Sequence, residues 1–171
     1  MPSDRSHPFI DYLLSLKQQQ NRGALAHLRR GLGKPPGTVA DVYPYVGRFL
    51  GDKTTLRERD EIYLVASLFA LHDEHQTIGN LGASFHSIWM DAEKSSSLEK
   101  RFVNLLNANR EELPGRLRHA VSLLKSKGVG VDYAQLLDDL RWWDSDRRTV
   151  QEQWARSFWA YSKTEDQSNE N

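Results

Sequence analysis

Apolar side chains recur along this chain at three- and four-residue intervals, and that period predicts helices almost throughout. The clearest stretch runs from Ser96 to Val121, where Leu98, Phe102, Leu105 and Leu106 make one stripe and Leu113, Leu117, Ala120 and Leu124 a second. Ser96 with Glu99, and Asn109 with Glu112, have capping-box spacing, so two helices are expected to meet at a short corner. Pro114 lies near the second start, where its missing amide costs little.

Upstream, Phe9, Leu13 and Leu16 mark a helix from Phe9 to Gln20. Asn21 can cap a second, Arg22 to Arg30, closed by Gly31. The run GLGKPPG, 31–37, reads as a stiff loop, since a residue before proline is disfavoured in helix. A short helix is expected over Ala40 to Leu50, near Pro44. Thr55 and Glu58 form another capping box opening Leu56 to His72; from Ile62 to Leu71 that helix is apolar on every side, so it should be a buried axis. Leu81, Phe85, Ile88 and Trp89 give a fifth helix. Downstream, Gly128 and Gly130 break the chain and Asp132 can cap Tyr133 to Trp143. Ser145 or Asp146 can cap a last helix, Arg147 to about Tyr161, with Val150, Trp154, Phe158 and Tyr161 inward. Alternating β-branched runs and Asn-Gly turns are absent, so no strand is expected. The fold class is therefore all-α, with about eight or nine helices in two joined small bundles. The serine-rich, charged segment Met90 to Ser97 places their boundary, giving 1–93 and 94–163, followed by an acidic tail, 164–171, expected to be disordered.

Charge changes the picture in one respect. The 171 residues carry 23 basic and 23 acidic side chains, so a general attraction to nucleic acid is not available and any such binding must come from segregated basic patches. Two are visible. From Tyr12 to Ala40 there is no acidic residue, while Lys17, Arg22, Arg29, Arg30 and Lys34 are basic. Around the corner, Lys100, Arg101, Arg110, Arg116 and Arg118 face only Glu99, Glu111 and Glu112. Arg118, Ser122 and Lys125 share one outer helical face, a spacing suited to following a phosphate backbone. A solvated charged face accounts for the same residues without any ligand. Five tryptophans point to a rigid core, a protein interface or both. Among them, Trp142 falls opposite the apolar stripe, and Trp159 shares an outer face with Arg148 and Arg156.

Composition also excludes chemistry. Without cysteine there are no disulfides, thiol nucleophiles or cysteine metal clusters. No apolar run reaches transmembrane length. MPSDRSHPFI lacks the pattern of a signal peptide, so an intracellular protein is the default expectation. His72-Asp73 is an HD dipeptide with the ligand types of a metal-dependent phosphohydrolase, and His75 stands three residues on. It falls at a helix end in a loop-like HDEHQ, a setting in which the dipeptide arises by chance. Asp138 and Asp139 are adjacent on a helix and point about a quarter-turn apart, so they cannot clamp one bond; a solvated face or capping role is expected.

Taken in order, LAHLRRGL (25–32) followed by PPG, PYVGRFL (44–50), YLVASLFALH (63–72), SSLEKRFVNLLNANREELPGRLRHAV (96–121), DYAQLLDDLRWW (132–143) and VQEQWARSFW (150–159) together resemble the CasB family. This is the small subunit of the type I-E CRISPR surveillance complex Cascade. The resemblance implies a non-catalytic, all-α, cytoplasmic protein without cofactor, metal or membrane. It implies as partners the CRISPR RNA and target DNA, the subunits CasA, CasC, CasD and CasE, and a second copy of the chain. Carried onto this sequence, the nucleic-acid-binding positions are Arg29 and Arg30, Arg101, Arg110 and Arg118, and Arg147 and Arg148, with Lys34 and Arg116 flanking. The rival readings are a helical adaptor that touches no nucleic acid and a metal phosphohydrolase using His72 and Asp73.

Overall fold

The computed structural model describes residues 7–77 and 79–160. Among them it has nine α-helices: α1 Pro8–Gln18, α2 Arg22–Arg29, α3 Tyr43–Val46, α4 Leu56–Leu71, α5 Leu81–Asp91, α6 Ser96–Leu106, α7 Leu113–Ser126, α8 Tyr133–Arg141 and α9 Thr149–Trp159. The only β pairing among the described residues is an isolated parallel bridge between His75 and Val131.

Start signals explain most of these elements. Asn21 accepts from the Ala24 amide at 3.1 Å, and Asp132 from the Gln135 amide at 2.9 Å. Thr55 and Glu58 complete a reciprocal capping box on α4. At α6 the cap is Ser95, not Ser96: Glu93 and Lys94 take left-handed backbone, turn the chain early, and leave Ser95 as the last non-helical residue. Asn109 and Glu112 do exchange hydrogen bonds, at 2.9 and 3.1 Å, but they close a turn that precedes α7. The expected helix over Ala40 to Leu50 divides into 3₁₀ turns at Ala40–Val42 and Gly47–Phe49 around the single turn of α3. α8 ends at Arg141 because Trp143 turns inward, its indole donating to the Ala108 carbonyl at 2.9 Å. α9 starts later than expected, after Arg148, whose left-handed backbone (φ 51°) replaces any side-chain cap from Ser145 or Asp146. Tyr161 and the tail 164–171 lie outside the described residues.

The stripes do what their period predicts. Leu98, Phe102 and Leu105 of α6, Leu113, Leu117, Ala120 and Leu124 of α7, and Val150, Trp154 and Phe158 of α9 are buried. Each such side chain contributes about 1.5–3 kcal/mol on leaving water. α4 is the axis, with α2, α3, α7 and α8 packed around it, and α5 lies along α9. The buried apolar residues form one connected cluster. Two of its helix pairs, α4 with α8 and α5 with α9, join segments from either side of residue 93. Tyr133 of α8 reinforces the first of these: its buried hydroxyl lies within reach of the Leu68 and His72 carbonyls at the end of α4. Burial holds its ionisation above the ordinary tyrosine range.

Candidate nucleic-acid interface

α7 is the platform of the candidate site. Its buried stripe turns Arg116, Arg118, His119, Ser122 and Lys125 out to solvent. On one side the start of α7 faces α4 and the loop 31–37 across a groove of about 670 Å³, whose lining includes Lys34, Arg118 and His119. The loop comes close because glycine lets it. Gly33 has φ 70°, and a Cβ there would stand 2.8 Å from Nη1 of Arg118. On the other side, between α6 and α7, a smaller hollow of about 240 Å³ is lined by Arg101, Asn104, Arg116 and His119. His119 lines both, so Lys34 and Arg118 at one hollow and Arg116 and Arg101 at the other make a strip around α7. Among the described residues, no carboxylate lies within 4.0 Å of any of these four cations.

The remaining expected positions are placed differently, and none lines the smaller hollow. Arg29 is exposed and donates from Nε to the Ala70 carbonyl at 2.9 Å, where a cation also suits the C-terminal dipole of α4. Arg30 is paired with Asp41. Arg147 is exposed at the turn before α9, and Arg148 donates to the Leu106 carbonyl. Arg110 is at the wall of the larger groove, but each of its three guanidinium nitrogens has a partner. Nε donates to Asp144 at 2.7 Å, Nη1 to Glu61 at 3.2 Å and Nη2 to the Leu140 carbonyl at 3.0 Å. Arg57 meets the same Asp144 at 2.8 Å. Arg110 therefore serves the fold, neutralising a buried carboxylate. Glu61 is 3% exposed; burial pushes its pKa up while Arg110 opposes that shift.

Sequence reasoning missed His119, the residue that joins the two hollows, and the role of Arg59. Arg59 sits over the Tyr63 ring, pairs with Asp60 at 2.8 Å and reaches the Pro36 carbonyl at 3.4 Å, so it ties the loop to α4.

The side chains of the rival chemical sites have other partners. His72 is buried, and its Nε2 lies 2.7 Å from the Val129 carbonyl; a carbonyl only accepts, so Nε2 carries the proton and donates. Asp73 is 3.7 Å from Lys17 instead. Among the described residues no group of three His, Asp or Glu side chains is placed to hold a metal ion. Asp139, expected on a solvated face, is buried, accepting from Trp154 Nε1 at 2.7 Å and Gln135 Nε2 at 2.8 Å. Trp159 is half-covered by Phe102 and Phe158, whereas Trp142 is 67% exposed.

A family model described as CRISPR-associated protein Cse2 matches residues 24–159, from α2 through α9. The chain belongs to the Cse2 family. A Cse2 protein of Thermus thermophilus is 41% identical over 162 residues, covering 93% of this chain and 92% of its own length. The crystal structure of CasB from Thermus thermophilus is 42% identical, with a TM-score of 0.77 over 90% of this chain and 96% of that one. A chain of a CRISPR RNA-guided surveillance complex, 23% identical, shares the fold with a TM-score of 0.74 over 95% of this chain and 99% of its own. All four strip cations fall within the part of the chain that the Cse2 family model spans.

Proposed function

We propose that this Cse2-family chain is the non-catalytic small subunit of a Cascade-type CRISPR RNA-guided surveillance complex in the cytoplasm. There it works beside CasA, CasC, CasD, CasE, the guide RNA and a second copy of itself. Its part is to hold the sugar-phosphate backbone of guide, target and displaced strand. The observation that carries the reading is the strip of Lys34, Arg118, Arg116 and Arg101, which has no carboxylate within 4.0 Å among the described residues, on a chain with no net charge.

Exchanging a DNA duplex for an RNA–DNA heteroduplex is nearly balanced in free energy, so a few backbone contacts suffice to tip it. Fixed arginines provide such contacts without reading sequence. They need no cofactor and no titrating group. Arg29 and Arg147, exposed outside the strip, extend the same role; Arg30, Arg110 and Arg148 act through the fold.

Exposed Trp142 and Leu56, 67% and 78% accessible, favour a second reading as a protein-binding adaptor. Reconstitution with the other subunits and guide RNA separates the two. Opening of target DNA is expected to fail without this chain and to return with the wild type. A variant with Lys34, Arg101, Arg116 and Arg118 all changed to alanine should still join the complex without restoring opening. Full restoration by that variant would assign the chain to the adaptor role.

A further inference from the structure

A grip on phosphates needs only cations on a surface, yet the larger groove is deeply concave and mostly apolar. Lys34 and Arg118 stand beside walls that include Leu28, Leu32, Leu64 and the rings of Pro35 and Pro36. Its volume of about 670 Å³ falls within the range of sites that enclose small organic groups, about 300–1,000 Å³.

We infer that this groove receives an unstacked nucleobase from a single strand whose flanking phosphates lie on Lys34 and Arg118. The inference rests on the backbone-binding reading and adds to it a preference for single strands. A base has an apolar face for the leucine and proline walls. Bases stacked in a duplex cannot enter, so duplex DNA would use the cations alone. An acidic amphipathic peptide would meet the same two cations. The strip favours a polynucleotide because the positive charge continues past the groove to Arg116 and Arg101, matching a repeating anion.

The test uses the full chain and fluorescence anisotropy with three probes of equal length and charge per strand: a cytosine-rich DNA single strand, its duplex, and a single strand made wholly of abasic sites. Wild type is expected to bind the abasic strand about tenfold more weakly than the normal strand. The groove-filling change Leu64→Trp, which leaves every cation in place, should weaken the normal strand to a similar extent. It should leave duplex affinity and the dependence on salt unchanged. Equal affinity of wild type for the normal and abasic strands overturns the inference, needs no variant, and leaves the backbone reading standing. Loss of all salt-dependent binding overturns both. Binding of an acidic amphipathic peptide that is sensitive to Leu64→Trp, with the two single strands bound alike, gives the groove to a protein and overturns the inference.

Discussion

Asp139 and Trp154 form the most buried charged contact in the second half of the chain, a carboxylate accepting from an indole at 2.7 Å. Burial raises the Asp139 pKa, and its hydrogen bonds from Trp154 and Gln135 only partly offset this. The folded state therefore holds that proton more tightly than the unfolded chain does. Stability is highest with the proton on and falls as pH rises from the ordinary carboxylate value through the raised folded one. Glu61 acts in the same direction. Denaturation midpoints measured over that window should fall with pH in the wild type and fall less in Asp139→Asn, which keeps an oxygen for Trp154. An unchanged pH dependence would contradict the assignment. Trp154→Phe removes the donor and leaves a buried acceptor, at a cost of about 1–3 kcal/mol in chemical denaturation. The pairing was not legible locally. Two adjacent aspartates look like a solvated face until a helix from elsewhere covers one of them. The partners of Arg110 were hidden for the same reason: Glu61 and Asp144 are remote along the chain.

At the scale of elements, most helices could be read directly because each carries a stripe and a cap within a few residues of one another. What escaped were boundaries with no chemical mark. Glu93, Lys94 and Arg148 take left-handed backbone although none is glycine, so nothing in their residue type announces a turn. Close helix approach is equally silent. Gly82 of α5 faces α9 so closely that a Cβ would stand 2.0 Å from the Trp154 carbonyl oxygen. Gly82→Ala should force the two helices apart and lower stability by about 1–3 kcal/mol. Gly115 offers the control: nothing lies within 4 Å of its Cβ position in the first turn of α7. Gly115→Ala is expected to be neutral or stabilising by up to about 1 kcal/mol. Thermal melts of both variants check the pair; similar losses would mean that the α5–α9 contact is looser than described.

Across the whole molecule, two features matter. The first is the shared core. A division at 93/94 would show as two unfolding transitions, whereas the α4–α8 and α5–α9 packing predicts one, with circular dichroism and tryptophan fluorescence coinciding. The second is where charge is left over. The sequence located the basic residues and the family, but their grouping depended on which cations the fold consumes. Arg30 and Arg110 are spent on carboxylates, while Lys34, Arg101, Arg116 and Arg118 remain around α7. The loop 31–37, brought against Arg118 by Gly33, joins the first basic segment to the second.

The salt dependence of single-stranded DNA binding measures that grouping most directly. Each lost phosphate contact should reduce the slope of log affinity against log salt by about 0.7. Arg101→Ala, Arg116→Ala, Arg118→Ala and Lys34→Ala are each expected to show this, weakening every sequence by a similar factor. Slopes that match the wild type in all four variants would contradict the account.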